Sequence, residues 1–161
     1  TSGRLSRLHR SLVVQHGVAT SVSSYNDARV HGGAFWLYVD ATPEADPDDV
    51  ERLLDSELQK MRDELVQPDE LKRTKAILVA GEAHDSETVS EIAENLGEFA
   101  VDADWRMALD GCARQRRVTA SQVRSVCARM LDPRRRVTGW CLPEDAPVPA
   151  GARRNLSLIH I

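Results

Sequence analysis

The side chains with the reach for catalysis or metal binding are five histidines, one of them in the last six residues, three cysteines and one short acidic cluster. His9, His16, His31 and His84 each stand without a second histidine one helical turn away. His9 and His16 are seven residues apart, two turns of a helix, which is too far to share one zinc without a third group. Surface or capping histidines are the ordinary reading of that pattern. His84-Asp85-Ser86-Glu87 has the letters of a catalytic triad, but three consecutive side chains cannot converge on one another. Cys112, Cys127 and Cys141 are widely spaced, odd in number and without a CxxC pair. They read as buried free thiols and do not settle the compartment.

The elements that would position these groups are set by periodicity. Leu5, Leu8 and Leu12 fall at helical spacing with Arg4, Arg7 and Arg10 opposite, and Gly17 stands where a left-handed residue ends that helix. Val18 to Tyr25 alternates, with Val18, Thr20 and Val22 on one face and the small Ala19, Ser21 and Ser23 on the other. Asn26-Asp27 reads as the start of a turn-rich loop. Gly32-Gly33 predicts a bulge or a close backbone approach at the entrance to a second strand, which carries Phe35, Leu37 and Val39 on one face and Trp36 and Tyr38 on the other.

Asp46-Pro47-Asp48-Asp49 is a helix start, and Val50, Leu53, Leu54, Leu58, Met61 and Leu65 form the apolar stripe behind it. Gln67-Pro68-Asp69-Glu70 opens a helix to about Ala83. Ser86 and Thr88 open another, with Val89, Ile92, Ala93, Leu96, Phe99 and Ala100 as its face. Asp102 or Asp104 caps a short helix through Trp105 and Leu109. Thr119-Ala120-Ser121-Gln122 has the form of a capping box, and the helix behind it should bury Val123, Val126, Cys127, Met130 and Leu131. Asp132-Pro133 stops that helix, Arg134-Arg135-Arg136 reads as a solvated strand entrance, and Val137 to Leu142 as a last strand.

Strands and helices that do not alternate point to an α+β fold, with helices on one face of a mostly antiparallel sheet. Three strands are few for so many helices, so further strands are expected upstream and the domain is read as truncated at its N-terminus. Residues 1–143 are read as one incomplete domain and 144–155 as a Pro- and Gly-containing linker. Residues 156–161 read as a non-native tail resembling a translated library adapter, so His160 is set aside. A chain of 161 residues is long enough for a real core, and 21 basic against 25 acidic side chains, with no basic patch interleaved with aromatics, argue against nucleic acid as a partner. No apolar run approaches the roughly 18 residues of a membrane span.

Ser6-Arg7-Leu8-His9-Arg10-Ser11-Leu12, followed by Gly17-Val18-Ala19-Thr20-Ser21-Val22-Ser23, resembles the second half of the insulinase/pitrilysin zinc peptidases. The pattern there is Ser-Arg-Leu-aromatic-Arg-x-Leu, then Gly-Leu-Ala-Tyr-Ser-Val-Ser. The resemblance continues through Gly33 to Tyr38, Val50 to Leu65, Pro68 to Lys75, Val118 to Val123 and Arg136 to Trp140, which is nearly the whole chain. No single motif is specific; their order and spacing are.

The resemblance implies a degenerate, non-catalytic copy of a metallopeptidase lobe. Zinc in that family sits on an H-x-x-E-H helix with a distant glutamate. This chain has no such motif, so zinc is implied for the parent protein and none for this chain. Family members place an arginine and a tyrosine at positions that fall here on Val13 and Thr20, so direct catalytic help from this half is in doubt. Peptide holding is what remains: substrate in the family adds as a strand to a sheet edge through backbone hydrogen bonds. Ala19, Thr20, Ser21, Ser23 and Tyr25 are the residues expected to hold it, with Trp36 and Tyr38 either nearby or in the core.

Three readings follow. The first is the substrate-enclosing lobe of a bacterial-type zinc metalloendopeptidase, in periplasm or cytoplasm, partnered by an upstream catalytic half and acting on peptides or unfolded polypeptide. The second is an inactive partner or scaffold subunit like the processing peptidases and respiratory core subunits. The third is an unrelated α+β interaction module.

Overall fold

In the computed structural model, Val18 and Thr42 face each other across a β-hairpin, the Thr42 N–H donating to the Val18 carbonyl at 3.0 Å. The described residues are 3–29, 31–84, 88–102 and 104–142, with the side chains of 82–84 and 102 excepted. The linker and tail assigned to 144–161 lie outside them, as do Ser86 and the cluster that follows His84. Two compact units divide the chain. The first comprises Thr1–Ser23, Tyr38–Leu58 and Asp132–Ile161; the second comprises Ser24–Leu37 and Gln59–Leu131.

The first unit opens on a helix, His9–Gln15, wound as a π-helix. The His16 N–H reaches the Ser11 carbonyl, five residues back, at 3.1 Å, and the Val18 N–H reaches the Leu12 carbonyl at 2.9 Å. Gly17, at φ +64°, makes the left-handed turn that permits this closure, as its position predicts. The π winding itself leaves no trace in the apolar spacing, because Leu8 and Leu12 stay on one side either way. Both are buried, Leu12 completely, whereas Leu5 lies in the exposed residues ahead of the helix.

Strand β1, Ala19–Arg29, pairs with β2, Gly32–Ala41, in a two-stranded antiparallel sheet. β1 runs straight through Asn26-Asp27, so the expected loop is strand. The turn is pushed out to the glycines: Gly32 has φ +139°, and a Cβ on Gly33 would run into the Asp27 carbonyl oxygen. That is the close backbone approach the paired glycines predict. Ala19 and Val22 are the buried positions of β1. They are three apart, which strict alternation does not give.

Helix α1, Pro47–Asp63, starts on Asp46, whose carboxylate accepts the Asp48 N–H at 2.9 Å. Val50, Leu53 and Leu58 bury the predicted stripe. The expected last strand at Val137–Leu142 is absent: Pro133–Arg135 is a 3-10 turn and residues 136–142 carry no strand. Among the described residues no third strand flanks the hairpin, and a strand exists only when paired. Arg136 is therefore no strand entrance. It bonds Asp55 on α1 and reaches Glu51 at 3.4 Å.

The second unit holds α2 (Pro68–His84), α3 (Val89–Asp102), α4 (Arg106–Leu109), α5 (Gly111–Arg117) and α6 (Ala120–Met130). α2 packs on α5, α3 on α4, and α4 on α5. Arg62 donates to the Leu131 carbonyl at 2.7 Å, and Lys75 to the Arg116 carbonyl at 2.8 Å. α1 ends at Asp63, two residues short of Leu65, and Leu65 is exposed while Val66 is buried. The predicted faces of α3 and α6 are not core: Val89, Ile92, Val126 and Met130 are exposed. α5 had no apolar stripe to announce it.

Candidate functional site

The strand residues of interest are positioned by the register that Val18 and Thr42 set. Two steps along, Thr20 lies opposite Asp40, and its hydroxyl donates to the Asp40 carbonyl at 3.1 Å. Ser21 donates its hydroxyl to the Asp40 carboxylate. Both are exposed at the start of β1, as is Ser23. Ala19 is buried at 3% exposure and anchors the strand to the core. Tyr25, two residues beyond Ser23 on the same strand, belongs to the second unit and is exposed. The arrangement is a strand start with a buried methyl, two hydroxyls tied to one aspartate across the pair, and a free polar face. It can present backbone groups to an extended chain; it holds no nucleophile–base pair.

Val13 is half-buried on the π-helix and offers no polar atom. Trp36 and Tyr38 are both about half exposed, so neither is core. Asp40 is the residue that sequence reasoning missed. The signal for it is available only once the strand register pairs it with Thr20.

Three of the histidines, His9, His16 and His31, have described side chains. His9 is half-buried, with its Nδ1 lacking a hydrogen-bond partner among the described residues. His16 is exposed and donates its Nδ1–H to the Ser11 carbonyl at 2.8 Å, which reinforces the helix end. His31 is exposed at the hairpin turn. Among the described residues no group of three or more His, Cys, Asp or Glu side chains is placed to hold a metal ion. Cys112, Cys127 and Cys141 are free thiols, the first two half-buried and Cys141 exposed. No helix among the described residues is long and apolar enough to cross a membrane.

Among the described residues one carboxylate, that of Asp132, is held well below its ordinary range. Hydrogen bonds from the Arg134 side chain and backbone N–H hold Asp132 down at about 2. It caps the 3-10 turn, so this is structural and not a catalytic signature.

Residues 1–78 match the family model of the Peptidase M16 inactive domain. A comparison with curated proteins finds no match. Among solved structures, the chain is similar to the inactive peptidase domain of a protein described as a zinc protease from Bordetella parapertussis, with a TM-score of 0.78 and 20% identity over 92% of this chain and 79% of that one. A protein described as a zinc protease from Bordetella pertussis Tohama I gives a TM-score of 0.77 and 20% identity over 88% and 78%. A protease from Helicobacter pylori gives 0.72 and 18% identity over 81% of this chain. The chain spans 32% of the length of the Helicobacter protein.

Proposed function

We propose, from the match of residues 1–78 to the Peptidase M16 inactive domain, that this chain is the non-catalytic, substrate-enclosing lobe of a bacterial-type zinc metalloendopeptidase. In this reading the zinc and its H-x-x-E-H helix belong to a catalytic half that pairs with this lobe. This chain contributes a wall and a strand edge to an enclosed peptide or unfolded polypeptide.

The observation that carries the reading is the match to the inactive domain, joined to the fate of two side chains. Val13 and Thr20 stand where the resemblance to active members calls for arginine and tyrosine. Val13 offers no donor, and the Thr20 hydroxyl is spent on the Asp40 carbonyl. What β1 retains is backbone and small polar groups, which suits strand addition: main-chain hydrogen bonds hold the peptide and place few demands on its sequence. Thr20, Ser21 and Ser23 line the peptide in this proposal, and Ala19 anchors the strand beneath it. The same loss of donors at Val13 and Thr20 favours, as a second reading, an inactive partner or scaffold subunit of the family.

The test is reconstitution with a catalytic half bearing H-x-x-E-H. The first reading expects no stoichiometric zinc and no cleavage from this chain alone, and chelator-sensitive cleavage of an unfolded peptide by the mixture. Stoichiometric zinc in this chain, with chelator-sensitive cleavage, would overturn both readings. A stable complex that binds peptide but never cleaves it would select the second.

A further inference from the structure

Residues 106–136 carry nine arginines, no lysine and two aspartates, whereas residues 1–105 carry 21 acidic against ten basic side chains. Within that stretch the arginines divide by what they do. Arg106 stacks on Trp105 at 4.7 Å and bonds Asp104; Arg114 bonds the Met107 carbonyl; Arg134 and Arg136 are paired with carboxylates. Arg116, Arg117, Arg124, Arg129 and Arg135 are exposed and form no ion pair among the described residues, and the first three flank the turn between α5 and α6. Neither α5 nor α6 contains an acidic residue to neutralise them.

Three of these groups flank the short turn between α5 and α6. Arg116 and Arg117 end α5, and two residues, Val118 and Thr119, lead into α6, where Arg124 lies on the second turn. α2 adds a fourth cation, since Lys75 Nζ sits 2.8 Å from the Arg116 carbonyl. Placing arginines in the last turn of α5 offsets the helix dipole and accounts for Arg116 and Arg117. It does not account for Arg124, which lies on the second turn of α6, beyond the reach of the dipole. Each guanidinium presents a planar fork that fits a carboxylate with two parallel bonds, which lysine does not.

We propose that the α5–α6 corner, with Lys75, Arg116, Arg117 and Arg124, docks a carboxylate-rich polypeptide segment, giving the lobe a side-chain-based preference for acidic substrates. The proposal rests on the peptide-holding reading above and names its substrate class. Polypeptide is favoured over nucleic acid because the chain is acidic overall, and the one tryptophan beside the cluster's stretch, Trp105, has its ring under Arg106. A strand edge is indifferent to substrate charge, whereas this corner is not.

The test uses the full chain with three fluorescently labelled probes in anisotropy titrations: an Asp/Glu-rich peptide, a Ser/Gly/Thr peptide of equal length, and a single-stranded oligonucleotide. Each is titrated against the natural chain and against a variant carrying Arg116→Gln, Arg117→Gln and Arg124→Gln, with Arg124→Gln alone as a milder change should the triple variant fail to fold by circular dichroism. The expected result is at least tenfold tighter binding of the acidic peptide, weakening steeply with salt, and loss of that advantage in the triple variant with the neutral peptide unaffected. Equal binding of acidic and neutral peptides overturns the inference and leaves strand holding intact. An acidic preference that survives the triple substitution overturns it too, as does arginine-dependent binding of the oligonucleotide tighter than that of the acidic peptide. Binding of the acidic peptide alone, with no detectable neutral-peptide binding, supports this corner and removes the strand-holding reading.

Discussion

Trp140 Nε1–H donates to Glu51 Oε1 at 2.7 Å, across 89 residues of sequence. Glu51 also receives Arg136 at 3.4 Å, and Arg136 bonds Asp55 one turn further along α1. One carboxylate on the helix thus ties down a segment that has no strand partner. This is the contact that holds residues 136–140 in place, since Val137 between the two ties is almost fully exposed.

Trp140→Phe keeps the ring and deletes the donor. A bond to a charged acceptor contributes more than a neutral one, but this site is only partly shielded, so the expected loss is about 1 kcal/mol in urea unfolding. Glu51→Ala frees both donors and should cost more. In a double-mutant cycle the two changes should be non-additive. Strict additivity would mean that the tie does not exist in solution.

Leu12 is fully buried and Leu5 is 59% exposed, although both belong to one apolar register. Leu12→Ala should destabilise by about 3 kcal/mol through lost burial and the cavity left behind. Leu5→Ala should stay within about 0.5 kcal/mol. Chemical denaturation midpoints of the two variants would show the difference directly.

Gly17 and Gly33 are needed for different reasons. A Cβ on Gly17 meets nothing within 4 Å, so Gly17→Ala costs only its positive φ, about 1 kcal/mol. Gly17→Asn should recover part of that. Gly33→Ala drives a methyl into the Asp27 carbonyl and should cost about 2 kcal/mol or more, with exchange broadening of the hairpin amides in NMR. Equal costs at the two sites would contradict the close strand approach.

Asp132 should make stability pH-dependent in the acid range. Its carboxyl is lowered from 3.8 to about 2 by the Arg134 hydrogen bonds. The unfolded chain therefore binds the proton first as pH falls. The stabilisation is fully present above pH 4 and is lost as pH drops towards 2. Asp132→Asn should lower stability at pH 7 and flatten the fall between pH 4 and 2, read from thermal midpoints across pH.

What the sequence determined by itself is whatever local hydrogen-bond chemistry decides. Asp46 caps α1, Thr119 and Gln122 close their capping box, and Gly17 ends its helix, because each satisfies backbone groups within a few residues. The paired glycines at the hairpin and the α+β class were legible for the same reason.

What needed the tertiary structure is whatever requires a distant partner. β1 runs through Asn26-Asp27 because β2 lies alongside to pair with it, which outweighs their turn preference. Val137–Leu142 has strand letters and no strand, since no neighbour among the described residues offers a ladder. Asp40 joins Thr20 and Ser21 only through register. The apolar faces of α3 and α6 were readable as stripes, yet exposure depends on what packs against a stripe, and periodicity carries no information about that.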